Sequence, residues 1–132
     1  MRILIIILLL SLVTHISASE SDEALFNKIL GVWLIEVDSG DVKTEGIKEY
    51  KSDGTIITSG KNYIDGEFVE DFLVKSKWQV LDGYSHMEIL ESSHSHVLPI
   101  GHKFSEKVIS VDDKQFIYEK KNGTQYTLKR IE

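Results

Sequence analysis

From residue 31 onward, hydrophobic and polar positions alternate in short runs, the pattern of strands with one face buried. In VWLIEVD (32–38), Trp33, Ile35 and Val37 share one face, and Glu36 and Asp38 take the other. The same reading predicts strands at 46–51, 55–64, 68–81, 85–92, 102–111, 115–121 and 124–131, with 68–81 either one long bent strand or two short ones. Asp-Gly or Asn-Gly dipeptides stand at 53–54, 65–66, 82–83 and 122–123. They supply the positive φ that tight hairpin turns need. A helical pattern occurs in ESDEALFNKIL (20–30), where Leu25, Phe26 and Ile29 fall on one face. Ser21 is placed to cap that helix, Asp22 and Glu23 complement the dipole of its first turn, and Gly31 ends it.

About eight or nine short strands joined by tight turns predict an all-β antiparallel meander. A sandwich and an up-and-down barrel both satisfy that pattern. Closure into a barrel is favoured because it removes the exposed sheet edges of a chain that has no cysteine to staple it. No repeat, low-complexity tract or linker divides residues 19–132, which are read as one domain.

Residues 1–18 differ from the rest. Arg2 precedes an aliphatic run at 3–13 broken only by Ser11, and small polar residues lead to Ala18. This is the layout of a secretory signal peptide, cleaved after Ala18 or Ser19, and the run is shorter than the ~20 residues of a bilayer span. An uncleaved N-terminal anchor is the alternative. With no cysteine, an exported chain carries no disulfide, which suits a periplasmic or secreted bacterial protein. The formal net charge is −6, and Arg2 is the only charge in the leader. An acidic chain without a basic patch argues against nucleic acid or an anionic membrane as partner. Asn122-Gly-Thr matches a glycosylation sequon but is read first as a turn.

Two short motifs carry a family resemblance. The first strand opens LGVW (30–33) directly after the helix, and the last strand ends TLKR (127–130). This is similar to the Gly-X-Trp opening and terminal arginine of the calycin group, which includes lipocalins, fatty-acid-binding proteins and small bacterial lipocalin-like domains. KWQVLDG (77–83) and EYKSDGT (49–55) resemble strands of the bacterial members. The resemblance implies a barrel plugged at one end by the helix, with Arg130 packed over Trp33 and Gly31 at the base of the first strand. Such a guanidinium–indole stack is worth about 0.5–2 kcal/mol. The chain departs from a full lipocalin in its short length and in lacking a second or third signature, which predicts small loops and a shallow cup. An eight-stranded barrel either holds one small ligand or is filled by its own side chains.

The inward positions expected to form the wall of any ligand site are Ile35, Tyr50, Ile57, Tyr63, Phe72, Trp78, Met87, Phe116, Tyr118 and Tyr126. The same residues serve equally as plain core. An apolar or amphipathic small molecule is the ligand class such a wall would take. The histidines form the other unusual feature: His86, His94, His96 and His102 all lie in a short segment containing the chain's only proline. Three readings apply to them. They are solvated residues of a polar loop, a zinc site built on the His94-X-His96 pair with His86 or His102, or a pH-sensitive rim. Apart from zinc, no cofactor is expected. Catalysis finds no support in the motifs. There is no G-x-S-x-G, no cysteine nucleophile and no H-E-x-x-H, and Glu67, Glu70 and Asp71 are read as a solvated acidic face. A binding protein is therefore expected rather than an enzyme. Periplasmic zinc binding and a protein-interaction or inhibitor module using the barrel rim are the alternatives. The sequence assigns no oligomeric state.

Overall fold

The computed structural model describes residues 20–132, so the expected signal peptide, residues 1–18, lies outside the described residues. A short helix, α1 (Asp22–Ile29), precedes eight strands: β1 (Gly31–Asp38), β2 (Val42–Tyr50), β3 (Thr55–Ile64), β4 (Glu67–Leu81), β5 (Tyr84–Ser92), β6 (Lys103–Val111), β7 (Gln115–Glu119) and β8 (Gln125–Arg130). All pair antiparallel with their chain neighbours, and β1 pairs with β8, so the meander closes into a barrel. The Asp65-Gly66 and Asp82-Gly83 turns place both central residues at positive φ, as two-residue hairpins of this twist require.

One element differs from the sequence reading, and a second resolves to one of its two alternatives. The second strand starts at Val42 rather than at 46 and pairs with β1 along its whole length, from Gly31↔Tyr50 to Asp38↔Lys43. Its first residues (VKTE) lack a buried face because they stand near the barrel mouth, so alternation there is weak. The 68–81 segment is one strand, β4, and opposite Lys75 and Ser76 its partner β5 carries an extra residue, Leu90.

The helix lies across one end of the barrel. Ser21 Oγ accepts from the Ala24 amide, and Leu25 and Ile29 turn into the core. Each such burial contributes about 1.5–3 kcal/mol. The Phe26 ring stacks on Trp78, with centroids 4.4 Å apart and planes 9° apart. The Asp22 carboxylate accepts from the amides of Asp82 (2.9 Å) and Gly83 (3.0 Å), which ties the helix to the β4–β5 turn. At this closed end the Arg130 guanidinium sits 4.2 Å from the centre of the Trp33 ring. It donates to the carbonyls of Leu30 (2.7 Å) and Lys28, while Trp33 Nε1 donates to Ile29 O at 2.8 Å. Those bonds clamp the short β1–β8 seam, whose register is only Trp33↔Arg130 and Leu34↔Lys129.

The core is built from Trp33, Tyr50, Ile56, Trp78, Met87, Phe116 and Leu128, all buried, together with Leu25 and Ile29 of the helix. Ile56, not Ile57, is the inward residue of β3. Tyr50 pairs with Ile56 across the β2–β3 hairpin and shares its face, while Ile57 stands opposite outward-facing Glu49. Two consecutive isoleucines carry no alternation, so the sequence could not fix that parity. Tyr63 is likewise corrected from lumen wall to outer face. It pairs with Lys43 and meets exposed Phe68 edge-on, with ring centroids 6.1 Å apart, just after a register shift at Asn62/Tyr63.

Candidate ligand site in the barrel lumen

The strands point a second set of side chains inward, above the core. On β2 these are Lys48 and Tyr50, on β5 Ser85, on β6 Glu106 and on β7 Tyr118. Ser85 and Glu106 are direct cross-strand partners. Ser85 is fully buried, Tyr50 is 2 % exposed and Glu106 5 % exposed. Ser85 Oγ and Glu106 Oε2 are nonetheless without a hydrogen-bond partner among the described residues, and the Tyr50 hydroxyl has only the Lys48 ammonium beside it. An unpartnered buried polar group costs about 1–3 kcal/mol, so these atoms call for a partner that the described residues do not supply.

Lys48 is the cation of this group. Its Nζ lies 5.1 Å from the centre of the Tyr50 ring and 5.7 Å from that of Tyr118. Burial works against the charge on Lys48, while its neighbours Tyr50 and Glu106 favour it and hold the ammonium above its ordinary range. Burial raises the phenols of both Tyr50 and Tyr118, with Lys48 opposing the rise.

Above this layer two glycines let β2, β3 and the Phe72 ring approach closely. Gly46 and Gly60 face each other across β2 and β3 on the inward side. A Cβ on Gly60 would lie 2.3 Å from Glu45 O and 2.8 Å from the tip of the Phe72 ring. Gly46, Lys48, Thr58, Gly60 and Phe72, all inward, keep partial exposure, whereas Tyr50, Ser85 and Glu106 do not. The end of the barrel away from the helix bears the 39–41, 65–66, 93–102 and 120–124 connections, and the buried polar atoms lie below these half-exposed positions.

A second polar chain runs along the mouth. Thr44 Oγ1 donates to Asn62 Oδ1 (2.7 Å), Asn62 Nδ2 donates to Glu70 Oε1 (3.1 Å), and Glu70 Oε2 meets His94 Nε2 at 2.8 Å. His94 Nδ1 lies 2.9 Å from Ser93 Oγ, which also accepts from the Leu73 amide. The chain straps the β5–β6 loop to β4. Bonds from His94 and then Asn62 hold the Glu70 carboxyl below its usual range. Glu70 is therefore part of a network rather than of a merely solvated acidic face.

The residues expected to line a site divide clearly. Ile35, Tyr50, Phe72, Met87, Phe116, Tyr118 and Tyr126 face the interior, with Tyr118 and Tyr126 stacked at 5.6 Å. Trp78 is buried between the Phe26 and Tyr50 rings toward the closed end. The four imidazoles are distributed. His94 and His96 are neighbours with ring centroids 6.1 Å apart, His86 bonds Ser105 Oγ at 2.6 Å, and His102 stacks on Phe104. Among the described residues, no group of three or more His, Asp or Glu side chains is arranged to hold one metal ion. Sequence reasoning missed Lys48, Ser85 and Glu106. The signal was present: each stands two residues from an inward apolar side chain, namely Tyr50, Met87 and Phe104.

No helix among the described residues is long and apolar enough to cross a membrane. No protein-family model matches the chain, and no curated protein shows significant similarity to it. What stands is the architecture, an eight-stranded antiparallel barrel with a helix across one end and buried, unpartnered polar groups on its inner wall.

Proposed function

We infer that this is an exported, lipocalin-like binding protein that takes a small apolar or amphipathic molecule into its barrel. The observation that carries this reading is the set of polar atoms buried on the inner wall, Ser85 Oγ and Glu106 Oε2 without partners and Tyr50 OH with only Lys48 beside it. A polar group delivered on an apolar ligand would satisfy them, while the rest of the ligand gains about 25 cal/mol per Å² of apolar surface removed from water. Exposed apolar side chains around the mouth suit the entry of such a molecule: Val42, Ile64, Phe68, Val97 and Ile100. The N-terminal leader pattern supports export, and the mass of the protein recovered from its native host tests cleavage after Ala18 or Ser19.

Titration with the neutral fluorophore N-phenylnaphthylamine tests the binding itself. Blue-shifted, enhanced emission that is lost in a Thr58→Phe variant, whose ring would occupy the cup, is the expected result. No enhancement with the folded protein would reject the reading.

A further inference from the structure

We propose that the lumen ligand carries an uncharged head group that both accepts and donates hydrogen bonds, an alcohol or a carboxamide on an apolar body, seated between Lys48 and Glu106. This rests on the lumen-binding reading above and specifies the chemistry of its ligand. Lys48 and Glu106 project inward from opposite sides of the barrel, on β2 and β6, and the carboxylate of Glu106 favours the charge on Lys48. Yet they form no ion pair within 4.0 Å, and Glu106 Oε2 accepts no hydrogen bond. Lys48 has only protons to offer, and a carboxylate oxygen can only accept. A group placed between them must therefore accept on one side and donate on the other. Tyr50 OH and Ser85 Oγ serve in either direction and can adapt to it.

Charge then discriminates among head groups. A carboxylate would meet Lys48 but would also bring a second negative charge beside the buried Glu106. An ammonium would meet Glu106 but crowd Lys48. In a site withdrawn from water such repulsion is weakly screened. A hydroxyl or amide avoids both penalties and leaves the existing pair balanced. Its apolar body would run toward the mouth past Ile35, Phe72 and Tyr126, which face the same lumen.

The test is calorimetric titration of the folded protein near neutral pH with three probes of equal chain length: decanol, decanoate and decylammonium. Decanol is expected to bind at least about tenfold more tightly than either ion. Glu106→Gln should raise decanoate affinity relative to decanol, and Lys48→Met should do the same for decylammonium. Decanoate binding as tightly as decanol would overturn the proposal, as would substitutions that leave the ranking unchanged. If either variant fails to fold, the wild-type ranking alone decides. If none of the three probes binds while N-phenylnaphthylamine does, the head-group assignment falls and lumen binding stands. If the fluorophore also fails, both readings fall.

Discussion

Replacing Arg130 with methionine should loosen the seam that closes the barrel. The side chain joins the last strand to the first strand and to the helix C-terminus. Its guanidinium is 4.2 Å from the Trp33 ring centre and donates to Leu30 O and Lys28 O. Methionine keeps the apolar stem and removes the charge and the donors. The cation–π contact is worth about 0.5–2 kcal/mol. A hydrogen bond from a charged donor contributes about 1.5–3 kcal/mol, discounted here because Lys28 O is exposed. The expected loss is about 2–4 kcal/mol, a fall in Tm of roughly 8–16 °C for a domain of this size. Arg130→Lys restores the charge but not the planar fork that reaches two carbonyls, so it should recover less than half. Urea unfolding followed by tryptophan fluorescence gives both numbers. If R130M unfolds within about 0.5 kcal/mol of the parent, the seam does not depend on this clamp and the reasoning is wrong.

Three further outcomes follow from other sites. Gly60→Ala forces a Cβ to 2.3 Å from Glu45 O and 2.7 Å from Gly46 Cα, both backbone, so denaturant unfolding should reveal a loss of about 3 kcal/mol. Gly66→Ala, with open space around it but φ +79, should cost only about 1 kcal/mol, and equal losses at the two sites would contradict the close-approach argument. The Glu70 carboxyl is depressed by His94 and Asn62, so its stabilisation is complete above the ordinary glutamate value of 4.5 and disappears as pH falls through the lower folded value. Thermal melts should accordingly show the advantage of the parent over Glu70→Gln shrinking in acid, and parallel curves at all pH would reject the strap. Asp22→Ala removes the acceptor for the Asp82 and Gly83 amides and should cost about 1–2 kcal/mol, with faster hydrogen exchange at Gly83 as the local readout.

The meander, the helix and their order were legible because alternation and Asp/Asn-Gly turns are local signals. The Trp33–Arg130 pairing was legible through the motif resemblance and shared strand parity. Inward parity failed where the pattern was blank. Ile56 and Ile57 are chemically identical, and Tyr63, six residues on from Ile57 in an uninterrupted β2–β3 register, follows it outward. Glu70 looked like one acid in an acidic run. Its partners, Asn62 and His94, come from β3 and a distant loop, and nothing in the local sequence announces them. The lumen polar set was hidden for a related reason. Lys48, Ser85 and Glu106 share the parity of inward apolar neighbours, but polar residues in strands are ordinarily assigned to solvent, and which three stand together depends on closure of the barrel.

The most direct measurement of the central claim is isotope-filtered NOE spectroscopy of the protein with decanol, using the methyl of Met87 as reporter. Met87 is buried on the inner wall at 3 % exposure, and the only other methionine is Met1, so the signal is unambiguous. Cross-peaks from decanol to the Met87 methyl and the Tyr118 ring are the predicted result. Contacts confined to the outer wall, or none at concentrations where the protein is folded, would contradict it.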